Sequence, residues 1–280
     1  MCISTNPNQI ERRFVMTVRT IQILFAIGWI AASPFVSAVS SEETITGLQV
    51  IEKVYNRPAG KDMQADLTMT LINSRGDQRV RKIKQFTKDF GEMEKKIMFF
   101  VSPADVRNTS FMNWSYDKEG KNDDQWIYLP ALKKVKRISS DSKSDYFMGS
   151  DFTYDDLGDR HPAEDSHALL QEETVNGEDC YVVESIPKEE EYMYSRTVTW
   201  IIKDKWIGLK KAFYDEDEEL LKILTVKNYE KIKGYWIILQ TEMHNVQKDH
   251  RTKMELENVI IDSGIPDNKF TERMMRRGLK

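Results

Sequence analysis

The sequence predicts a mainly β protein built around one antiparallel sheet, and three observations indicate this fold class. Apolar and polar residues alternate with a period of two over much of the chain from residue 63 onward, a pattern typical of strands with one buried face. Turn residues separate these segments, as at Asn176-Gly177, a pair that favours a tight hairpin. No helical segment stands between successive strands, which disfavours a parallel βαβ sheet.

The first 38 residues have the pattern of a signal peptide. Three arginines precede an uncharged apolar run from Ile21 to Val36, and Val36-Ser37-Ala38 matches the small-residue pattern of a cleavage site. A membrane anchor is the alternative, but the run is short for a span of roughly 20 residues. We therefore expect residues 1–38 to be a cleaved signal peptide and residues 39–280, which contain no Gly/Pro/Ser-rich linker, to form one domain.

The mature chain is predicted to begin with an amphipathic helix. Ser40 and Glu43 form a capping box, apolar residues follow at helical spacing, and Asn56 and Pro58 end the helix. Short helices are also predicted over 103–108 and 266–276. Strands are predicted over 63–71, 80–87, 94–101, 110–116, 125–129, 168–174, 179–186, 196–203, 209–215, 220–230, 236–246 and 253–261.

About a dozen antiparallel strands in one domain must form a large curved sheet, a barrel or a sandwich. One face of such a sheet is apolar and requires a cover. The first helix and the long segment 139–166 are the parts of the sequence outside the strands that are long enough to provide it. We therefore expect both to lie over the apolar face.

Composition and motifs narrow the function classes. A net charge of −4 without a strongly basic half disfavours a nucleic-acid partner. Cys180, the only cysteine after residue 38, lies in an apolar strand and is predicted to be a small buried side chain, so stability must come from packing. The chain has no nucleophile elbow, phosphate-binding glycine loop or zinc-protease motif. We therefore predict no catalytic residue and no cofactor.

Two sets of possible metal ligands have an unsuitable spacing. The histidines are interpreted as surface or hydrogen-bonded side chains: His161, His167, His244 and His250. A group of aspartates lacks the residue order of a calcium loop and is expected to be a solvated loop whose side chains cap turns: Asp151, Asp155, Asp156 and Asp159. No metal site is predicted.

A basic run stands in this otherwise acidic chain: Lys133, Lys134, Lys136 and Arg137. It fits an exposed strand edge protected by lysines, and equally a surface for anionic headgroups or an acidic partner. Aromatic and methionine side chains are concentrated on both sides of the run. They fit a large β core, and also a cavity for apolar ligands of variable shape.

The stretch Asp124–Ile138, followed by Asp145–Leu157, resembles the signature of the LolA-like outer-membrane lipoprotein-sorting family of exported bacterial proteins. Ser102–Arg107 and Ile265-Pro266 with Phe270-Thr271 also fit this family. The resemblance implies an incomplete antiparallel β-barrel, that is, a curved sheet with a few helices forming a lid over its concave apolar face. It also implies a carrier whose cavity holds acyl chains and which makes or breaks no bond.

The sequence thus predicts a non-enzymatic periplasmic carrier that binds acyl chains of lipoproteins or other lipids for transfer toward the outer membrane. The alternatives are an accessory binding subunit of an RND-type lipid exporter, or a hydrolase of lipids or envelope polymers. The expected partners are acylated lipoprotein or lipid cargo, an inner-membrane ABC- or RND-type transporter, an outer-membrane acceptor and, transiently, the membrane surface.

Alternation along the strands predicts which residues line the lipid-binding cavity: Met69, Leu71, Phe99, Trp126, Tyr128, Phe147 and Trp200. A shift of register by one residue would move any of these side chains to the opposite face of the sheet. The basic run, Lys133 to Arg137, is the predicted surface for the inner-membrane donor or for lipid headgroups.

Overall fold

The computed structural model describes residues 44–279. The predicted signal peptide, its cleavage site and the capping pair Ser40 and Glu43 lie outside these residues. The described chain has two α-helices, α1 (Gly47–Tyr55) and α2 (Glu272–Arg277). The strands are β1 (Asp62–Ile72), β2 (Gln78–Asp89), β3 (Met93–Ser102), β4 (Ser110–Tyr116), β5 (Asp124–Leu129), β6 (Lys134–Arg137), β7 (Asp165–Val175), β8 (Glu178–Pro187), β9 (Arg196–Ile202), β10 (Gly208–Tyr214), β11 (Leu220–Ile232), β12 (Tyr235–Asn245) and β13 (His250–Ile261).

The strands form one 13-stranded sheet in which every neighbouring pair is antiparallel. Its spatial order is β6-β5-β4-β3-β2-β1-β13-β12-β11-β10-β9-β8-β7. The chain thus builds two runs of consecutive strands that join where β1 pairs with β13, and β6 and β7 are the two edges. The predicted mainly β, antiparallel class is confirmed.

Helix α1 begins at a different residue from the one expected. Thr46 is its N-cap: the Thr46 side chain accepts from the Gln49 backbone N–H, and the Gln49 side chain accepts from the Thr46 N–H. This reciprocal capping box fixes the start of the helix. The predicted end is confirmed, because Asn56 is the C-cap.

Three other local predictions require correction. Residues 103–108 form turns rather than a helix, because Asn108 adopts a φ of 67° and its N–H donates back to the Phe100 carbonyl at 2.9 Å. Strand β6 is absent from the strands predicted by alternation, because its basic residues do not show the pattern of a half-buried strand, but it agrees with the interpretation of the basic run as an exposed strand edge. The C-terminal helix α2 begins at Glu272, where the Thr271 hydroxyl caps the Met274 N–H, and a separate 3₁₀ turn precedes it at Asp267–Lys269.

The sheet has two apolar faces with different covers. We call the face that carries Leu67, Met69 and Leu71 the inner face. The opposite, outer face of β2 to β5 is covered by the C-terminal segment, whose Phe270 and Met275 pack against Phe99. Helix α1 covers the β8–β9 part of the inner face, where Val50 contacts the cluster formed with Val183 and Ile201.

Candidate functional site

The inner face is an extended apolar surface that spans both halves of the sheet. One buried cluster joins Leu67, Met69 and Ile83 from β1 and β2 with Phe213 from β10 and Met243 from β12. A single connecting segment, residues 138–164 between β6 and β7, contributes Phe147, Phe152 and Leu157 to the same cluster. We call this segment the strap. Strands from both runs of the sheet contact it, so the sheet curves around it.

The strap covers the inner face without joining the sheet. Its regular structure in the described chain consists of four short 3₁₀ turns: Ser140–Ser142, Phe147–Gly149, Asp155–Leu157 and Pro162–Glu164. Phe147 is 0% exposed, and its ring centroid lies 5.0 Å from Phe111, 5.5 Å from Tyr154 and 6.0 Å from Phe100. The prediction that segment 139–166 covers the apolar face is confirmed. The cover is mainly this irregular strap, rather than a lid of helices.

An ion pair buried beneath the strap connects it to β11. Lys222 is 0% exposed, and its Nζ donates to Asp156 Oδ2 at 2.5 Å and to the Asp151 carbonyl at 3.2 Å. The Tyr194 hydroxyl donates to the other Asp156 oxygen at 2.9 Å. Removing either charged partner would leave the other charge buried and uncompensated.

A second anchor connects the strap to β13. Asp151 is 2% exposed, and its carboxylate accepts from the Thr252 hydroxyl at 2.7 Å and from His250 Nδ1 at 2.8 Å. Asp155 is held by the Tyr192 hydroxyl, and burial raises the pKa of its carboxyl. The expectation of a solvated loop is therefore wrong for Asp151, Asp155 and Asp156, because they have partners in segments remote in sequence. The expected turn cap is present at Asp156, which accepts from the Thr153 N–H at 2.7 Å. Asp159 is exposed, as expected.

A cavity of about 240 Å³ lies at one end of the inner face, beside the strap. Its apolar wall is formed by Met63, Trp236, Ile237, Ile238 and Leu256. Its polar wall is formed by the following side chains: Arg57, Lys61, Asp62, Gln85, Thr87, Lys88, Asp89, Glu94 and Lys96. The Lys96 ammonium donates to the Leu157 carbonyl at 3.3 Å, which links this wall to the strap. The arrangement offers both an apolar surface and charged groups to one ligand.

Comparison with known proteins identifies the family. A family model described as an uncharacterized protein matches residues 92–277. A DUF1329 family protein from Desulfovibrio piger is 32% identical, with a TM-score of 0.78, over 82% of this chain and 97% of that one. An outer membrane lipoprotein-sorting protein domain from Vibrio parahaemolyticus is 34% identical, with a TM-score of 0.77, over 82% of this chain and 98% of that one. The chain belongs to the LolA-like family.

A more remote structure agrees in fold. A LolA superfamily protein from Nitrosomonas europaea is 18% identical, with a TM-score of 0.64, over 82% of this chain and 99% of that one. None of the curated proteins compared with the chain matches it. In the LolA-like fold seen here, the first signature stretch forms β5, a 3₁₀ turn and β6, and the second forms the central part of the strap.

The structure does not bring the seven predicted lining residues of this LolA-like chain onto one face. Met69, Leu71 and Phe147 meet in the inner-face cluster. The other four lie elsewhere: Phe99, Trp126 and Tyr128 in the outer-face cluster, and Trp200 in a third cluster with Cys180 and Ile202. Alternation could not select between the faces, because both faces of β3 to β5 are apolar and each has its own cover.

The basic run lies at an edge of the sheet. Lys133, Lys134 and Lys136 are exposed, whereas Arg137 pairs with Asp124 on the neighbouring strand. Strand β6, which carries three of these four residues, is one of the two edge strands. Both interpretations of the run, edge protection and a partner surface, are compatible with this position.

The remaining sequence predictions concern histidines, cysteine and metal ligands. His167 contacts Ser185 and the Pro162 carbonyl, and Cys180 is buried, as expected. Within residues 44–279, no group of three or more His, Cys, Asp or Glu side chains could hold a metal ion. No helix in that range has both the length and the apolar character of a membrane span.

Sequence reasoning missed the charged residues of the inner face. Glu94, Lys96 and Lys222 occupy inward positions in strands that are otherwise apolar on that side. The sequence contained one signal for these residues, namely a charged residue at an inward position of a strand. Such a residue must be paired with an opposite charge, be held neutral, or contact a ligand. The partners of Lys222 could not be identified in the same way, since they lie on the strap.

Proposed function

We propose that this protein is exported to the periplasm, where it carries the acyl chains of lipoproteins or another lipid toward the outer membrane. One observation supports this function above the others: the apolar inner face is covered by a strap that is separate from the sheet. The Vibrio parahaemolyticus relative, whose name refers to lipoprotein sorting, supports the same class of cargo. The chain itself then needs no catalytic residue and no cofactor.

Burial of methylene groups supplies the driving force for such a carrier. Each exposed CH₂ group costs about 0.8 kcal/mol, so a 16-carbon chain costs on the order of 12 kcal/mol to hold in water. In the structure described here, Phe147, Phe152 and Leu157 of the strap occupy the inner face. An acyl chain that enters between the sheet and the strap, with these side chains packed against it, exchanges one apolar contact for another. Opening the strap therefore requires mainly the release of its polar anchors.

The hydrolase alternative finds less support. It relied on Asp155 or His161 being gathered into a reactive arrangement. Instead, Asp155 accepts from the Tyr192 hydroxyl, while His161 accepts from the Ala163 N–H and packs against Tyr55. We therefore retain the carrier, with Met69, Leu71 and Phe147 as the predicted lining residues that face its cargo.

Donor and acceptor proteins would meet the carrier at its surface. We propose that the basic run, Lys133 to Arg137, makes transient contact with an inner-membrane ABC- or RND-type transporter or with anionic headgroups. An outer-membrane acceptor would receive the cargo. Reversing two exposed charges, Lys134→Glu with Lys136→Glu, should slow loading or delivery and leave the amount of bound lipid unchanged.

A reversible crosslink between strap and sheet tests the carrier function. Thr252 Oγ1 lies 2.7 Å from Asp151 Oδ2 and 2.9 Å from the Asp151 N, so cysteines at these two positions would place their thiols in neighbouring positions for a reversible crosslink. In the variant Asp151→Cys with Thr252→Cys, oxidation should abolish uptake of a fluorescent C16 fatty acid. Reduction of the same sample should restore uptake, which makes the reduced protein the matched control.

Mass spectrometry of lipids that co-purify with the exported wild-type protein completes the test. Bound acyl lipid together with redox-controlled uptake would support the carrier. Equal uptake by the oxidised and reduced forms would show that the strap does not gate the inner face. Stable association with an exporter, without any bound lipid, would replace the carrier by the accessory-subunit alternative.

A further inference from the structure

Two buried polar atoms without a partner in the described chain line the cavity beside the strap. Within residues 44–279, seven buried side-chain nitrogen or oxygen atoms have no hydrogen-bond partner. Arg57 Nε and Thr87 Oγ1 belong to residues that line the cavity, whereas Asn113 Oδ1 and Gln125 Oε1 lie on the two strands beyond Lys96. Buried polar groups are normally paired, so the two atoms at the cavity call for a partner that the described chain does not supply.

The strand register explains why these residues lie together. Thr87 on β2 is directly opposite Lys96 on β3, which is opposite Asn113 on β4, which is opposite Gln125 on β5. Directly opposite residues share a face, with Cβ atoms about 4.5–5.5 Å apart. The four side chains therefore form a continuous polar row on the inner face, and its Thr87 end opens into the cavity.

Lys96 leaves two of the three hydrogen-bond donors of its ammonium unused in the described chain. Its ammonium carries three donors, but makes one hydrogen bond, to the Leu157 carbonyl, and no described carboxylate lies within 4.0 Å of it. Burial alone would lower the Lys96 pKa, but Asp159, Glu94 and Asp123 outweigh it and raise the pKa above its ordinary value. A charged ammonium with free donors beside the Thr87 hydroxyl suits a phosphate oxygen.

Glu94 supplies the opposite charge two residues earlier on the same face. Its carboxyl makes no hydrogen bond or ion pair within the described chain, and burial raises its pKa to about 7. The carboxylates of Asp159, Asp89 and Asp123 act in the same direction, opposed by Lys96. A cationic group would be attracted here. The cavity wall also carries Arg57, Lys61 and Lys88, so a preference for a zwitterionic over a purely anionic headgroup depends on Glu94.

We propose that this cavity binds the headgroup of a zwitterionic lipid, with Lys96 and Thr87 holding its phosphate and Glu94 holding its primary amine. The proposal rests on the carrier function for the rest of the ligand. A volume of about 240 Å³ holds a headgroup and the first methylenes, which would contact Met63 and Leu256. The remaining chain would follow the inner face beneath the strap.

Headgroup binding would also affect the strap. The phosphate would compete for the ammonium of Lys96, whose one hydrogen bond in the described chain is to the carbonyl of Leu157. Leu157 belongs to the strap and packs in the inner-face cluster. Occupation of the cavity would therefore release one strap contact at the point where the acyl chain has to enter.

Three probes with the same eight-carbon chain test the proposal by calorimetry on the purified protein: octanoyl lysophosphatidylethanolamine, octanoyl lysophosphatidylglycerol and octyl glucoside. We expect the ethanolamine lipid to bind at least about tenfold more tightly than either of the others. Equal affinity for all three would overturn the headgroup site and leave the carrier function intact. No uptake of the C16 fatty acid by any form of the protein would instead overturn the carrier function.

Single substitutions assign the two charges. Lys96→Met should weaken both phospholipids by about tenfold or more and leave octyl glucoside unchanged, whereas Glu94→Gln should remove the preference for ethanolamine over glycerol. Lys95→Met is the matched control, because Lys95 is adjacent in sequence but lies on the outer face over the Trp114 ring. Should Lys96→Met fail to fold, Thr87→Val provides the phosphate test. Equal losses from Lys95→Met and Lys96→Met would contradict the proposal.

Discussion

At the scale of single residues, Thr87 combines burial with an unpaired hydroxyl. Its side chain is 9% exposed, and its Oγ1 has no partner in the described chain. Residues retained for a ligand commonly lower the stability of the free protein, since their polar groups are desolvated without compensation. Stability and binding should therefore respond in opposite directions when this hydroxyl is removed.

We predict that Thr87→Val raises the free energy of unfolding of the ligand-free protein by about 1 kcal/mol, because it removes an unsatisfied buried hydroxyl. Urea denaturation measures the change. Thr68→Val is the matched control: the Thr68 hydroxyl accepts a hydrogen bond from Lys82 Nζ at 2.7 Å, so its loss should destabilise the protein. A decrease in stability for Thr87→Val would contradict the unpaired state of this hydroxyl.

Glu94 should make stability depend on pH. Its pKa is about 7 in the folded protein and ordinary in the unfolded chain, so the folded state holds the proton more firmly. Stability should then be highest below the unfolded pKa and fall as pH rises from about 4.5 to 7, by a few kcal/mol at most. Charged neighbours of this group are Lys96, Asp159, Asp89 and Asp123.

The substitution Glu94→Gln should flatten this part of the stability profile, as measured by urea denaturation across that pH range. Glu92→Gln, an exposed position one residue before β3, is the control and should leave the profile unchanged. An identical pH dependence in wild type and Glu94→Gln would show that another group is responsible.

Predictions for single residues succeeded where neighbours in the sequence determine whether a side chain is buried. Cys180 was predicted to be buried because its neighbours are apolar, and it is. Phe99 and Trp126 were assigned to the cavity but lie on the outer face, because alternation defines two sets of side chains without saying what covers each. The cover of the outer face is the C-terminal segment, whose docking depends on contacts remote in sequence.

At the scale of elements, the strap combines an irregular backbone with several buried polar anchors. The sequence indicated that segment 139–166 would lie over the sheet, since it was long and lacked strand alternation. The anchors could not be predicted, because Asp156 and Lys222 are 66 positions apart, and Asp151 and Thr252 are 101 apart. Only the folded sheet brings their partners beneath the strap.

The buried ion pair of the strap predicts a strong loss of stability when one partner is removed. Lys222→Met should lower the free energy of unfolding by about 3–5 kcal/mol, because Asp156 is left charged and desolvated. Combining Lys222→Met with Asp156→Leu should recover most of that loss, as measured by urea denaturation.

Lys203→Met provides the control for this prediction. Lys203 pairs at 2.6 Å with Glu172, which is 60% exposed, so its substitution should change stability by less than about 1 kcal/mol. Comparable losses from Lys203→Met and Lys222→Met would show that burial of the pair is not what determines its energy.

At the scale of the whole molecule, the proposed signal peptide and the single sheet each lead to an expectation. We expect the exported protein to begin at Val39 and to unfold in a single transition, because one sheet joins all the strands. Intact mass and coincident fluorescence and circular dichroism curves check both points. A second transition would show that the two runs of strands, β1 to β6 and β7 to β13, fold separately.

The fold class was predictable because alternation is repeated in nearly every strand, and the family signature covers the turn before β6 and the strap. The spatial order of the strands in the sheet was harder to predict from the sequence than the fold class. Pairing of Met63 on β1 with Ile261 on β13 depends on residues from opposite ends of the described sheet. No local pattern in the sequence specifies that contact.

This pairing has a consequence for biogenesis. On the export route that we propose, the chain crosses the inner membrane from its N-terminus and delivers β1 long before β13, so one hydrogen-bonding edge of the first strand would stay open until translocation is almost finished. Open edges are templates for intermolecular pairing, and non-local closure is slow. The newly exported polypeptide would therefore depend on holding chaperones throughout that interval, even though the finished protein buries the same edge.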